Sequence, residues 1–207
     1  MSRRIITFCS VAVLVSLVLV SAALASPLLT EGGSPLAAGA KITGATTGEA
    51  QFTIGTTKFN CEVGHLEGEV VKNSGTSIEA NITNFMLGKQ PEGTCSGVFR
   101  VKSVNVPWCL RMNSVLEPDT YSLRAGKCTE EAKQLTITLD FGLYQCSYTR
   151  EPINDSFRTE KDGDALINIT AKLFNREETN AVVCYAGPSL DASFTLKTPN
   201  GTQLTIS

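Results

Sequence analysis

The cysteines constrain the fold of this chain more than any other feature of its sequence. Seven are present. Cys9 lies inside an N-terminal apolar run of the kind that is cleaved off during export, which leaves six. An even number of cysteines in an exported chain is typical of a disulfide framework. No two of the remaining six have the C-x-x-C spacing of a metal site, and the chain contains one histidine. We therefore predict three disulfides among Cys61, Cys95, Cys109, Cys128, Cys146 and Cys184.

Sequence spacing favours one of the many connectivities that six cysteines allow. Cys109 and Cys128 lie at equal distances from Pro118-Asp119, a dipeptide that is typical of turns. A hairpin folded at this dipeptide places the two cysteines opposite each other, at a separation that a disulfide can span. Pairing each remaining cysteine with its nearest neighbour then predicts Cys61–Cys95 and Cys146–Cys184.

Residues 1–25 have the three parts of a secretory signal peptide. Arg3 and Arg4 precede an apolar run from Ile5 to Val20, and Ala23-Leu24-Ala25 supplies a small-residue cleavage site. An uncleaved N-terminal anchor is the alternative, although the run is short for a membrane span. We expect a secreted, extracellular protein with no membrane span after the signal is removed.

The net charge of the chain without residues 1–25 bears on which class of partner it can bind. Removing Arg3 and Arg4 from the 18 basic side chains leaves 16 against 20 acidic ones, a net charge of −4. This mild acidity favours solubility and argues against a nucleic-acid partner, which calls for a basic face. We expect no cofactor, and we consider a glycan or a component of the cell envelope as the partner.

Short alternating runs of β-branched and aromatic residues, broken by Gly, Asn and Pro, fill the rest of the chain. Leu135–Phe141 and Ala165–Leu173 alternate most clearly, and the second run places Asn168 on the outer face of its strand. No run of ten or more residues after the signal shows a sustained helical period. The pattern predicts an all-β protein, an antiparallel β-sandwich or barrel-like fold of about ten to thirteen short strands.

The domain organisation follows from where these runs begin. Residues 26–46 are rich in Gly, Pro and small side chains, so we predict a flexible lead-in, with the first strand between Lys41 and Ile54. Residues 47–207 then form a single sandwich-like domain. A subdivision near residues 126–131 is the alternative.

One order of residues resembles a known group of proteins. The sequence reads F-x-I, C-E, L-x-G-x-V, I-x-x-x-I-x-x-F, C and N-V-P-W, and later Y-x-C-x-Y and C-x-x-x-x-x-L-x-A-S-F-T-L. It resembles a group of secreted, disulfide-bonded, β-rich bacterial proteins. The matching positions are Cys61-Glu62, Leu66, Gly68, Val70, Phe85, Cys95, Pro107-Trp108, Cys146 and Cys184. The resemblance implies an exported β fold and supplies no catalytic residue; Cys109, where a polar residue is expected after Pro-Trp, is a departure from it.

Candidate site residues are few, and we predict no catalytic residue. His65, Glu67 and Glu69 alternate and could face one side as a metal site, but a solvated strand face is the simpler interpretation. Asp162 and Asp164 flank a glycine and are the best Ca²⁺ candidates, although the EF-hand spacing is absent. Trp108, the sole tryptophan, is interpreted as a core residue, with ligand stacking as the alternative.

We therefore expect an exported, non-enzymatic β-domain that acts as a binding or envelope-surface module. One alternative is a secreted carbohydrate-active enzyme, which requires two acids facing each other in a cleft. The other is a small secreted inhibitor or effector, which an exposed rigid loop bearing an apolar anchor would favour.

Overall fold

The computed structural model describes residues 28–74, 77–88, 94–96, 99–113, 120–159, 163–172, 174–175, 184 and 187–206. In these residues the chain forms eighteen strands and no helix. The strands are β1 (Leu29–Glu31), β2 (Ser34–Pro35), β3 (Lys41–Thr46), β4 (Ala50–Ile54), β5 (Thr57–Cys61), β6 (Gly64–Ser74), β7 (Ser77–Leu87), β8 (Thr94–Cys95), β9 (Phe99–Val104), β10 (Trp108–Asn113), β11 (Thr120–Ala125), β12 (Leu135–Asp140), β13 (Gln145–Arg150), β14 (Ile153–Thr159), β15 (Ala165–Lys172), β16 (Phe174–Asn175), β17 (Ser189–Lys197) and β18 (Leu204–Ile206).

The predicted all-β class is confirmed. The strands pair antiparallel in a sandwich-like architecture. Their number exceeds the predicted ten to thirteen because the described chain includes very short strands, such as β2, β8 and β16 with two residues each. A two-residue strand leaves no hydrophobic alternation in the sequence, so its pattern cannot reveal it.

Two long strands, β7 and β17, connect the layers of the sandwich, because each of them changes its pairing partner along its length. The first half of β7 pairs with β10, and its last two residues pair with β9. The start of β17 pairs with β4, and its end pairs with β3. Strands β9, β12 and β13 pair in succession, and Leu135 and Ile137 of β12 face Leu190 of β17 across the core. A strand that changes partner along its length thus carries the pairing from one layer to the other.

The space between these layers is filled by side chains. Phe85 lies at the centre, with its ring centroid 5.1 Å from that of Trp108 and 5.6 Å from that of Phe194. The void beside these rings measures about 10 Å³, which is room for about one water molecule. A ligand therefore has no space in this part of the interior.

The prediction of a flexible lead-in over residues 26–46 is wrong for the residues described. β1 pairs with the C-terminal β18, and Leu29 is 1% exposed. β3, in the same stretch, pairs with both β6 and β17. Gly32 and Gly33 have positive φ angles in the tight turn between β1 and β2, so the glycines that suggested flexibility make a turn instead.

Buried residues from Leu29 to Leu204 belong to one hydrophobic cluster. It therefore includes residues of the predicted lead-in as well as residues of the predicted domain 47–207. The alternative boundary near residues 126–131 stays a prediction. In that stretch the Gly126 N–H donates to the Pro107 carbonyl at 2.9 Å.

The three disulfides are Cys61–Cys95, Cys109–Cys128 and Cys146–Cys184, the pairs that the spacing predicts. The register argued for Cys109–Cys128 is wrong, however. β10 and β11 do form a hairpin, but Cys109 lies opposite Arg124. Cys128 follows the end of β11 and reaches Cys109 because the chain turns back, with the Cys128 N–H donating to Asn81 Oδ1 at 2.9 Å. The Pro118-Asp119 dipeptide lies outside the described residues.

Candidate functional site

Four neighbouring strands present a polar face to solvent. They lie in the order β5, β4, β17 and β15. Alternate residues of each strand point to opposite sides. On the inner side Phe52, Leu190 and Ile169 are buried in the core. The outer side carries Lys58, Asn60, Gln51, Thr53, Ser189, Asp191, Ser193, Asn168, Thr170 and Lys172.

The strand register lines these outer side chains up in rows. Asn60 lies opposite Gln51, Gln51 opposite Asp191, and Asp191 opposite Thr170. This first row therefore crosses all four strands at right angles to the chain direction. We refer to Asn60, Gln51, Asp191 and Thr170 as the cross-strand row. A second row, Lys58, Thr53, Ser189 and Lys172, runs parallel to it.

A depression of about 390 Å³ opens on this face beside the cross-strand row. Its lining is polar apart from Ala192, and the remaining residues are Thr47, Glu49, Asn168, Thr170, Asp191 and Ser193. Thr47 and Glu49 come from the turn between β3 and β4, and this turn is held by a 2.9 Å hydrogen bond from the Thr47 N–H to the Ser193 carbonyl. The depression thus combines hydroxyl, amide and carboxylate groups in one concave surface.

Side-chain hydrogen bonds fix several of these groups. The Ser193 hydroxyl donates to Asn168 Oδ1 at 2.6 Å. Gln51 Nε2 donates to Asn60 Oδ1 at 3.1 Å, and Asn60 Nδ2 donates to Glu49 Oε2 at 2.6 Å. The amides and Glu49 therefore have defined orientations. Binding of a ligand to these groups therefore costs less free energy for ordering side chains than binding to a mobile surface would.

The core beneath this face is rigid. Phe52 of β4 packs edge to face against Phe99, with ring centroids 5.8 Å apart, and Phe59 of β5 packs against the same ring at 5.3 Å. The Cys61–Cys95 disulfide joins the end of β5 to β8. Packed aromatic rings and a covalent link hold β4 and β5 in place, so their outer residues keep a constant spacing.

Trp108 lies in the core rather than at a ligand site. Its side chain is 1% exposed, and its indole Nε1–H donates to Asn105 Oδ1 at 3.2 Å. A sugar ring needs an exposed aromatic face to stack on. We therefore assign no ligand contact to Trp108, which agrees with its interpretation as a core residue.

Those predicted metal candidates that lie in the described residues do not form a cluster. His65 Nε2 lies 3.1 Å from Glu67 Oε1, whereas Glu69 forms an ion pair with Lys41. The backbone of Asp164 forms an isolated antiparallel β-bridge with Thr205, and Asp162 lies outside the described residues. Among the residues described, no three His, Cys, Asp or Glu side chains lie close enough to hold a metal ion.

Only one residue of the polar face is predicted from the sequence. The alternation in β15 predicts Asn168 on an outer face, and the structure places it in the depression. The sequence does not predict Glu49, Gln51, Asn60 and Asp191 as site residues, because only strand pairing brings them together. Alternation shows which residues of one strand share a side, but it does not show which strands are neighbours.

No protein-family model, curated protein or solved structure shows a significant match to this chain. The resemblance to secreted, disulfide-bonded bacterial proteins therefore stays a prediction. No helix in the described part of the chain is long and apolar enough to cross a membrane.

Proposed function

We propose that this protein is an exported, non-enzymatic binding domain that recognises carbohydrate through the depression on its outer face. The observation that carries this proposal is the lining of the depression, which consists of hydroxyl, amide and carboxylate groups with a single alanine. Sugars present many hydroxyl groups, each of which both donates and accepts hydrogen bonds. Carboxylate and amide oxygens accept from them, and amide and hydroxyl groups donate to them.

Electrostatics adds to this match. Asp191 and Glu49 supply two carboxylates, and hydrogen bonds to an ionised acceptor are about twice as strong as neutral ones. Large apolar side chains are absent from the depression's lining, so a mainly apolar ligand gains little there. A polyhydroxylated ligand is therefore the class that this surface fits best.

Export is part of the proposal. Three disulfides are consistent with an extracellular protein, because such bonds persist in oxidising compartments. The signal-peptide pattern of residues 1–25 and the resemblance to secreted bacterial proteins support the same location. A glycan of the cell envelope or of the surroundings is then accessible to the domain.

Binding of glycans to the oxidised, exported protein tests the proposal. We expect at least one soluble glycan from a panel of cell-wall and plant polysaccharides to bind and to raise the melting temperature. Asp191→Asn should weaken that binding about tenfold or more, since it removes a charged acceptor. Glu131→Gln is the matched control, because it neutralises an exposed acid outside the depression.

Two outcomes would contradict the proposal. Equal glycan binding by Asp191→Asn and Glu131→Gln would show that the glycan does not bind in the depression. Release of new reducing ends from a bound glycan, with loss of that release in Asp191→Asn, would instead indicate the secreted carbohydrate-active enzyme.

The inhibitor or effector alternative has one specific observation in its favour. Leu143 is 99% exposed at the turn between β12 and β13. The turn is ordered, because Phe141 stacks on Tyr144 with ring centroids 4.8 Å apart and the Gly142 N–H donates to Asp140 Oδ1 at 3.0 Å. If this alternative holds, the protein inhibits a secreted hydrolase in a panel assay and Leu143→Asp abolishes that inhibition. Inhibition that Leu143→Asp leaves unchanged would reject this role for the turn.

A further inference from the structure

The polar face continues beyond the depression, and this extension bears on the length of the ligand. Asp191 and Thr170 line the depression, whereas Gln51 and Asn60 continue the same row across β4 and β5. We propose that the site takes a linear oligosaccharide, which lies along the cross-strand row and contacts all four strands. This inference rests on the proposed carbohydrate function and names the form of the ligand.

The dimensions of the row support a chain rather than a single sugar. Paired strands lie about 4.8 Å apart, so four strands span roughly 14 Å, about the length of three sugar rings in a linear chain. The depression covers the β15 and β17 end of the row and extends to Glu49 in the turn before β4, whose carboxylate accepts a hydrogen bond from Asn60. Gln51 and Asn60 therefore lie where a second and a third ring would follow a ring seated over Asp191.

The far end of the row is held in place as firmly as the depression. The Asn60 backbone N–H donates to Ser96 Oγ at 2.9 Å, and the Ser96 N–H donates to the Asn60 carbonyl at 2.9 Å. Ser96 follows Cys95, whose disulfide to Cys61 closes the same region. The outer edge of β5 at Asn60 is therefore occupied by Ser96, which disfavours pairing of a peptide strand there.

The character of the cross-strand row also distinguishes it from the parallel row, which begins with Lys58 and ends with Lys172. Many exposed sheet faces carry long Lys and Glu side chains, which lose much rotamer entropy when they bind. The cross-strand row contains two amides, one carboxylate and one threonine, and the two amides are already hydrogen-bonded to each other. Groups that are already oriented by such hydrogen bonds can contact a ligand at a smaller entropic cost.

A chain-length series tests the inference. The probes are β-1,4-linked oligomers of glucose and of N-acetylglucosamine with one to six rings, titrated into the oxidised protein by calorimetry. We expect the affinity for one of the two series to rise about tenfold or more between one ring and three. Beyond three rings we expect less than about a threefold further gain, because the row ends at Asn60.

Variants locate the added contacts. Gln51→Ala with Asn60→Ala should lower the affinity for the trimer to that for the single sugar, while Asp191→Asn should weaken every length. Gln203→Ala is the matched control, because it removes an exposed amide outside this face. Melting temperatures of all variants show whether each one is folded.

The outcomes separate this inference from the function on which it rests. A single sugar that binds as tightly as the hexamer, with loss on Asp191→Asn, would overturn the linear-chain inference and leave the proposed function standing. A trimer that binds the double variant and the parent equally would also overturn the inference. Absence of binding by every oligomer of both series would overturn it as well, whereas the proposed function stands if another glycan of the panel binds the parent and binds Asp191→Asn less tightly.

Discussion

At the scale of single residues, asparagine side chains bond to backbone groups of segments that are distant in sequence. Asn73 bonds to the backbone of Leu29 and Leu36. Asn81 accepts from the Cys128 N–H, and Asn105 donates to the Gln134 carbonyl at 2.8 Å. An amide carries a donor and an acceptor like a peptide group, so it can take the place of a missing strand partner.

We predict that Asn73→Ala destabilises the fold by about 1–3 kcal/mol, because the buried Leu29 backbone loses two hydrogen bonds to this side chain. In the parent, Asn73 Oδ1 accepts from the Leu29 N–H at 2.9 Å, and Asn73 Nδ2 donates to the carbonyls of Leu29 and Leu36 at 2.8 and 2.9 Å. Urea denaturation of the oxidised protein measures the effect. Lys72→Ala, at the exposed neighbouring position, is the control, and equal midpoints for the two variants would contradict the prediction.

At the scale of strands, the sequence predicts those whose residues alternate and that bury one face. β15 is such a strand, and it occurs at Ala165–Lys172, where the alternation places it. Register is harder to predict, as the β10–β11 hairpin shows, because Cys109 pairs with Arg124 rather than with Cys128. A disulfide requires only that two cysteines come close. An incorrect strand register can therefore still lead to the correct prediction that Cys109 and Cys128 are bonded.

The candidate site illustrates the same limit. Its residues lie between Thr47 and Ser193 in the sequence, and they meet because β17 pairs with β15 along one edge and with β4 along the other. Pairings between strands this distant in sequence leave no local signal. A lone tryptophan such as Trp108 is an obvious candidate for ligand stacking in a sequence, whereas the ligand candidates in the structure are common polar residues.

The pairing of β6 with β7 depends on a glycine at a bulge. The register of the two strands shifts between Glu67 and Gly68, and a Cβ at Gly68 would lie 2.8 Å from the Asn81 carbonyl oxygen. We predict that Gly68→Ala costs about 1–3 kcal/mol, because the backbone has to move to relieve that contact. Thermal and urea unfolding measure it, and Thr83→Ala, at an exposed position on β7, serves as the control. A Gly68→Ala protein as stable as this control would show that β7 can shift freely.

At the scale of the whole molecule, the disulfides join parts of the fold that are remote in sequence. Cys61–Cys95 connects β5 with β8, and Cys146–Cys184 connects β13 with a residue near the start of β17. The three bonds close loops with sequence separations of 34, 19 and 38 residues. Longer loops have more conformational freedom when unfolded, so closing them removes more entropy from the unfolded chain.

We therefore predict that the protein stays folded only while it is oxidised. Each loop contributes roughly 3–4 kcal/mol in the chain-entropy account, or about 10 kcal/mol together. A domain is typically stable by about 5–15 kcal/mol, so the reduced chain should have little or no net stability at 37 °C. Circular dichroism before and after reduction, with alkylation to count free thiols, measures this.

The variant Cys109→Ser with Cys128→Ser provides the graded comparison, because it opens only the shortest loop. It should remain folded with a lower urea midpoint, whereas full reduction should abolish the cooperative transition. A reduced protein that keeps the parent's sharp melting transition would show that the core suffices without the disulfides. The fold would then no longer require an oxidising compartment, and the structural support for export would be lost with it.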